Sequence, residues 1–551
     1  MLKEVKNVKL SGAEAIAKAL KACGVEFFFY MMGGMMIYSQ IEDEGVKTIL
    51  CRNEKAAASM ADGYARVTKK PTVCYGQHGV AAAILASLMY EPMYAHSPVV
   101  ALTASYPTIK KDQWSYQECY EMKYFEQTCK FNADVTDVSR LAEYMRTAIQ
   151  VSVSGCPGPT HVNIHTDMAN VTAEMPEIYG DETFFKVPPF RPRAESERVA
   201  EAAKLLASAE KPVMICGGGV HLSGAYEEVR ELAELLMIPV VTNPNGKGCF
   251  PEEHPLSAGV MGTYGRPVSN DIVREADLVF LVATRAGRMQ MEELTSPIPE
   301  TSKIIHLDID PVAIGRNYKA DVPLVGDAKM VLRDLLGVLK TMLAKPKPKG
   351  PRLREIAKRI RDYESSIKQL DSDGVPIKPQ RLMKEVSKFL GPRDILVSDT
   401  GNMLSWTIRF VKMKNTGMLY LPAGGSLGSS FPLAIGASFA AKEDQRILHL
   451  TGDGGMGYNL TDLETSIRYK DQHVPIVTVV NNNSTLGSTA FPFTDLNYAK
   501  IFEAFGCYGI RVERPSEIAD ALRSAFKSGK HAIVDVVTDK SERAGARVRY
   551  L

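Results

Sequence analysis

Short apolar runs alternate with helix-period stretches along this chain, and that alternation admits few folds. Pro212 to Cys216, Leu278 to Ala283 and Lys303 to Leu307 are examples from its centre. Runs of this length, largely apolar, suit strands buried on both faces of a parallel sheet whose crossovers are helices. Two segments interrupt the pattern, Pro188-Pro189-Phe190-Arg191-Pro192-Arg193 and Lys345-Pro346-Lys347-Pro348-Lys349-Gly350-Pro351, and both have linker composition. A chain of 551 residues has room for roughly three domains. The expected class is therefore α/β: three consecutive doubly wound α/β domains with mostly parallel sheets, at residues 1–187, 194–344 and 352–551.

Composition narrows the partners. Charges nearly cancel at +2, so no nucleic acid or acidic polymer is implied. Nine cysteines occur without a CxxC pair or metal-ligand spacing, as in a reducing cytoplasm. Met1-Leu2-Lys3-Glu4-Val5-Lys6 is too charged for a signal peptide, and no run of 18 apolar residues is present. The expectation is a soluble cytoplasmic enzyme, away from the membrane, acting on a small-molecule substrate.

One motif has the makings of a cation and diphosphate site. The apolar run ending His449-Leu450-Thr451 leads into Gly452-Asp453-Gly454-Gly455, where a Gly-rich turn lets backbone N–H groups approach anionic oxygens at the next helix. Asp453 offers a hard oxygen ligand. After 27 further residues, beyond the run Pro475 to Val480, Asn482-Asn483 follow Gly454. A carboxylate and a carboxamide leave a six-coordinate Mg²⁺ room for two phosphate oxygens and a water. Alone, the Gly-Asp-Gly triplet is equally an ordinary strand-turn-helix.

This spacing resembles the cofactor-anchoring signature of thiamine diphosphate (ThDP) enzymes. In that pattern Asn-Asn is followed by three residues and a Gly, which selects Asn482-Asn483 with Gly487. The resemblance implies Asp453, the Asn483 side chain and the Thr485 backbone carbonyl as Mg²⁺ ligands, and leaves Asn481 as a strand-end residue capping a turn. A second match is Arg52 to Arg66, an Ala-rich helix beginning at Glu54 and closed by Gly63-Tyr64-Ala65-Arg66. By resemblance Glu54 is the acid that shares a proton with aminopyrimidine N1′. A third is Gly424 to Ala437, where Leu427 stands five places before Pro432. There the resemblance implies that Leu427 wedges under the bent cofactor while the Gly425 carbonyl and Leu427 N–H bond the aminopyrimidine edge. In Ser398-Asp399-Thr400-Gly401-Asn402, Gly401 and Asn402 would touch the diphosphate, unless this is a plain loop.

The resemblance covers nearly the whole chain and lies with the acetohydroxyacid (acetolactate) synthase and pyruvate oxidase branch, whose domains are pyrimidine-binding, middle Rossmann-like and pyrophosphate-binding. Lys211-Pro212-Val213-Met214-Ile215-Cys216-Gly217-Gly218-Gly219, Phe250 to Leu256 and His306 to Pro311 are similar to synthase text. Gly217 to Gly219 can cradle an FAD diphosphate or simply pack strand against helix. Cys156, where synthases usually have Arg, and Arg285-Ala286-Gly287-Arg288 depart from the pattern and weigh against FAD.

Around the reacting carbon the chain also departs. Tyr30-Met31-Met32-Gly33-Gly34 carries Met32 and Gly34 into the expected substrate pocket, with Gly34 leaving room for a second substrate. Met31, Met32, Met35 and Met36 suit core or an adaptable apolar lining. Gln117-Glu118 matches the synthase pair, and the Gln117 amide can hydrogen-bond a substrate oxygen. His78, in Tyr75-Gly76-Gln77-His78-Gly79, is a natural proton donor to a bound carbonyl or else a backbone-bonded histidine. His96 stands where Asp is commoner and is taken as structural. Gly487 to Phe493 replaces the synthase acceptor-pocket pattern, and the basic tail Ser541 to Arg549 can close over an anion or fray.

Together these motifs point to a ThDP- and Mg-dependent carboligase or lyase on 2-oxo or 2-hydroxy-carbonyl compounds. A simple 2-oxo-acid decarboxylase and a 2-hydroxyacyl-CoA lyase are alternatives. From other classes, a flavin- or nucleotide-binding oxidoreductase would rest on Gly217 to Gly219, and a non-catalytic scaffold would not need Glu54, Asp453 and Asn483 together. The resemblance further implies a homodimer or homotetramer with active sites at the subunit interface, Glu54 and Asp453 of one site coming from different chains.

Overall fold

A computed structural model describes residues 7–291 and 297–544. Met1 to Lys6, which bear on targeting, and the tail residues Gly545, Ala546, Arg547, Val548 and Arg549, which bear on substrate closure, lie outside the described residues. Three six-stranded, mostly parallel sheets flanked by helices carry the chain. They fall into two compact units, one within Met1–Phe190, Ala423–Glu443 and Gly455–Ile476, the other within Arg191–Pro422, Asp444–Gly454 and Val477–Leu551.

The first unit holds strands β1 (Phe27–Tyr30), β2 (Lys47–Leu50), β3 (Thr72–Gly76), β4 (Val99–Ser105), β5 (Phe131–Val135) and β6 (Thr160–His165), in spatial order β2-β1-β3-β4-β6-β5, all pairs parallel. Every residue of β3, β4 and β6 is buried; β3 and β4 are mostly apolar as such strands are, whereas β6 buries His161 and Asn163, both bonded to the Thr103 hydroxyl of β4 at 2.8 Å. Helix α1 (Glu54–Thr68) is capped by Asn53, whose Oδ1 accepts the Ala56 N–H at 2.9 Å. Helix α2 (Tyr90–Ala95) precedes β4, and helix α3 (Ser430–Ala440) packs on α1 at backbone contact. A methyl group on Gly63 would lie 2.0 Å from the Leu433 carbonyl oxygen, and one on Gly436 1.9 Å from that of Met60. Ala and Gly along both helices are therefore there for close approach rather than for helix propensity.

In the second unit, β7 (Pro212–Cys216), β8 (Val240–Thr242), β9 (Ser257–Val260), β10 (Leu278–Val282), β11 (Lys303–Asp308) and β12 (Val322–Val325) are ordered β9-β8-β7-β10-β11-β12. The last sheet comprises β13 (Ile395–Ser398), β14 (Tyr420–Pro422), β15 (Ile447–Gly452), β16 (Ile476–Asn482), β17 (Tyr508–Val512) and β18 (Ala532–Val537), in order β14-β13-β15-β16-β18-β17. Strand β16 runs further than the apolar pattern suggested. Asn481 and Asn482 are inside it, so Asn481 is a strand residue and not a turn cap.

Each sheet reverses its winding direction early in its course, and the first and third sheets step back once more at their last strand, β6 and β18. The reversal lies between β1 and β3, between β7 and β10, and between β13 and β15. Crossover helices diverge to opposite faces at such a point and leave a crevice beyond the strand carboxyl ends, where open α/β sheets bind ligands. No helix among the described residues is long and apolar enough to cross a membrane.

Candidate active site

The third sheet's crevice is flanked by the segments after β13 and β15, which carry Gly401 and Asn402 on one side and Asp453 on the other. Thr451 donates to Asp399 Oδ2 at 2.9 Å and ties the two strand ends together. A helix begins at Asp453, so Gly454 and Gly455 form its first turn. Asp453 is 6% exposed, its Oδ2 is buried without a hydrogen-bond partner, and burial pushes its carboxyl up to about 6 against the pull of nearby backbone N–H groups, Ser484 and Thr485 among them. Its own carbonyl accepts the Tyr498 hydroxyl at 3.0 Å.

Just past β16, Asn483 Oδ1 accepts the Thr485 N–H at 3.1 Å and the Thr485 hydroxyl at 2.9 Å. The residue between them, Ser484, is left-handed at φ 52°, strain of a kind that collects at functional turns. Asn402 Nδ2 reaches the Gly487 carbonyl at 3.4 Å. A methyl group on Gly454 would stand 3.1 Å from Leu486 and 3.3 Å from Phe493, so an apolar collar closes over this turn.

In the first unit, Glu54 opens α1 and is half-buried. Its Cγ lies 3.3 Å from where a side chain on Gly76 would begin, at the carboxyl end of β3. The loop that continues through His78 meets Gln117 because Gly79 has no side chain: a methyl group there would sit 2.4 Å from the Gln117 carbonyl oxygen. Glu54, His78 and Gln117 are thus on one side of the first crevice.

His78 is 6% exposed, with Tyr106 and Tyr116 edge-on at 5.2 and 6.2 Å. Burial holds its imidazole below the usual histidine range, Glu121 pulling the other way, and its Nδ1 has no hydrogen-bond partner. Gln117 is left-handed at φ 56° and its Nε2 donates to the Tyr116 hydroxyl at 2.9 Å.

Two pocket readings change. Gly34 has no free room beside it: a methyl group would meet Ala104 Cβ at 2.6 Å and the Tyr75 hydroxyl at 2.8 Å, and φ is +65°. That glycine answers a backbone demand and does not make space for a second substrate. The methionines divide, Met35 being core at 1% exposed while Met32 and Met36 are 60% and 68% exposed.

Also in the first unit, Gly425 is exposed and Leu427 half-buried on the loop leading into α3. That loop is tied from behind by a residue the sequence did not single out. Glu91 accepts the Ser426 N–H at 2.8 Å and the Gly424 N–H, and it is 2% exposed. Burial pushes its carboxyl above the usual range, with Arg66 opposing. Asp462, also missed, holds the start of α1: its Oδ2 accepts Asn53 Nδ2 at 3.0 Å and its Oδ1 the Arg52 N–H at 3.3 Å.

Comparison with known proteins gives this geometry a context. The description "Thiamine pyrophosphate enzyme, N-terminal TPP binding domain" matches residues 10–126, the central domain of the same enzymes matches 199–335, and their C-terminal TPP binding domain matches 399–536. The chain belongs to the thiamine pyrophosphate enzymes. It is 35% identical to a probable acetolactate synthase large subunit of Methanocaldococcus jannaschii, over 97% of this chain and 93% of the relative. A probable acetolactate synthase large subunit of Methanococcus aeolicus is 33% identical, with 97% and 92% covered. The acetolactate synthase isozyme 3 large subunit of Escherichia coli is 26% identical, with 97% and 96% covered. This chain is thus an enzyme, thiamine diphosphate-dependent and acetolactate synthase-like.

For a thiamine pyrophosphate enzyme, the donors around Asp453 fit a divalent cation. A buried carboxylate oxygen without a donor is what a hard cation satisfies, and hard cations of this kind need only one or two protein carboxylates. Among the described residues no group of three or more His, Cys, Asp or Glu could hold a metal instead. In the middle sheet, a methyl group on Gly217 would lie 2.4 Å from the Ala283 carbonyl oxygen, and one on Gly219 2.7 Å from Ala283 Cβ, so these glycines admit the end of β10. The two departures His96 and Cys156 face each other, with Sγ 3.1 Å from Nδ1.

Proposed function

We propose that the chain is a thiamine diphosphate- and magnesium-dependent carboligase or lyase of acetolactate synthase type, acting on 2-oxo or 2-hydroxy-carbonyl compounds. The observation that carries this reading is the buried Asp453 carboxylate with one unpartnered oxygen, set at a sheet's winding reversal beside the Asn483–Thr485 turn. Asp453, Asn483 and the Thr485 carbonyl would hold Mg²⁺. The Thr485 hydroxyl, which now donates to Asn483 Oδ1, is the donor free to rotate away. Gly401, Asn402, Gly454 and Gly455 would face the diphosphate.

When bound, thiamine diphosphate supplies a carbanion and an electron sink for the bond beside a carbonyl. Glu54 would share a proton with N1′ of the aminopyrimidine. The Gly425 carbonyl and Leu427 N–H would hold the aminopyrimidine edge, and the Leu427 side chain would support the cofactor from below. His78 donates its N–H to the substrate carbonyl oxygen, Gln117 orients a second oxygen, and Met32 and Gly34 line the mouth. Relatives named large subunits support an oligomer, here a homodimer or homotetramer in the cytoplasm with sites shared between chains. The three blocks 1–187, 194–344 and 352–551 serve as pyrimidine, middle and pyrophosphate domains. FAD in the middle domain is not part of this reading, and a yellow purified protein would restore it.

The test is a panel of 2-oxo acids given to purified protein with ThDP and Mg²⁺, with and without an aldehyde or second 2-oxo acid. A coupled product that needs Mg²⁺ and disappears in Glu54→Gln is expected. CO₂ release indifferent to the acceptor would mark a simple decarboxylase instead, and undiminished turnover in Glu54→Gln would remove the cofactor assignment.

A further inference from the structure

Glu91 has no part in the proposed reaction, yet it stands directly behind a loop on which that reaction depends. Its two carboxylate oxygens take the Gly424 and Ser426 N–H groups, one each. These amides flank Gly425, and nothing lies within 4 Å of where a Gly425 side chain would start. The loop is therefore gripped on both sides of a residue that faces open space. On its far side Glu91 lies 3.8 Å from Arg66, which is bound to the fully buried Asp62. A methyl group on Gly424 would fall 2.6 Å from Tyr94 Cδ1, so the loop is pressed onto α2 as well as bonded to it.

A carboxylate, with two acceptor oxygens and no donor, can hold residues i and i+2 of a loop by giving each N–H an oxygen of its own. Burying an ionised acid is expensive unless it is paired and fully bonded. Here both conditions are met by backbone amides and one guanidinium, an expenditure out of scale for tying down an ordinary surface turn.

We propose that Glu91 is a positioning residue that fixes the Gly424–Leu427 backbone so that the Gly425 carbonyl and the Leu427 N–H meet the aminopyrimidine edge of the cofactor. This rests on the reading of that loop under Proposed function. The test separates the two ends of the ligand. Calorimetry on the full-length protein measures Mg²⁺-dependent binding of thiamine diphosphate and of inorganic pyrophosphate, which lacks the pyrimidine.

In Glu91→Gln an amide N–H₂ replaces one acceptor and confronts a backbone N–H. Thiamine diphosphate affinity should fall by at least about tenfold while pyrophosphate affinity holds within about twofold. Near-ultraviolet circular dichroism of the bound aminopyrimidine should change even at saturation. Glu91→Asp, which keeps charge and both acceptors but withdraws them, should give the same split with a smaller loss, and it serves if the Gln variant does not fold.

Equal weakening of both ligands, or unchanged thiamine diphosphate binding and dichroism in both variants, overturns the Glu91 assignment. If the wild-type protein binds thiamine diphosphate no tighter than pyrophosphate, the underlying reading of the loop fails, and the inference fails with it.

Discussion

His78 enters any substrate chemistry as a neutral ring. Burial takes its imidazole below the ordinary 6.5, with Glu121 opposing, so at pH 7 it has one N–H to donate and no extra proton. The depressed value sets the sign: its contribution to stability is present above the unfolded value and is lost as pH falls through the folded one. Log kcat/KM should be level between about pH 7 and 8 and decline on the acid side of 6.5, and His78→Gln should erase that decline. An alkaline inflection that vanishes in His78→Gln would mean that an imidazolium is the working form.

Asp453 has the opposite sign. Its carboxyl is raised to about 6 by burial, so its contribution to apo-protein stability is complete below the unfolded value of 3.8 and is lost as pH rises through about 6. A cation offsets that loss by pairing with the ionised form. Mg²⁺-dependent thiamine diphosphate affinity should therefore fall about tenfold per pH unit below 6 and level off above it. Asp453→Asn should flatten this profile and weaken binding by about a hundredfold or more, read by calorimetry. A profile unaltered by the substitution would show that Asp453 does not touch the ion.

At the scale of elements, the contact between α1 and α3 is set by what glycine lacks. Gly436→Ala places a methyl group 1.9 Å from the Met60 carbonyl oxygen, and neither helix backbone can yield without moving the start of α1, where Glu54 sits. Overpacking of this kind costs about 1–3 kcal/mol, sometimes more. Gly337, exposed inside helix Ala328–Met342, has nothing within 4 Å, and Gly337→Ala should stabilise by about 0.5–1 kcal/mol. Denaturant unfolding of the cofactor-free protein should move in opposite directions for the two variants. Equal shifts would show that backbone crowding does not govern the α1–α3 contact.

The same elements show how far sequence carries. Strands β7, β10 and β11 were legible to within a residue because strands buried on both faces are largely apolar, and Glu54 was placed at the first turn of its helix by the Ala-rich run that it opens. Glu91 and Asp462 were not legible. Each meets partners more than 300 residues away, and a buried acid in a short helix has no local signature until its backbone partners are known. Gly34 misled for a related reason: the Ala104 and Tyr75 atoms that forbid a side chain there come from neighbouring strands.

At the scale of the whole molecule, the first and third sheets share one winding, each running second, first, third, fourth, sixth, fifth strand in local order. One of these copies presents Glu54 at its reversal point and the other presents Asp453 at its own. A cofactor with an acid-seeking ring at one end and a cation-bound diphosphate at the other needs one reversal point of each kind. Two-fold association of identical chains would supply two of each, with residues crossing reciprocally. If each site takes Glu54 from one chain and Asp453 from its partner, then Glu54→Gln chains and Asp453→Asn chains, inactive apart, must complement when mixed after dissociation. A mixed dimer has one site with both lesions and one with neither. Random pairing makes half the dimers mixed, so about one quarter of wild-type activity should return. Recovery that stays at zero, with subunit exchange verified by differently tagged chains, would place Glu54 and Asp453 of each site on a single chain.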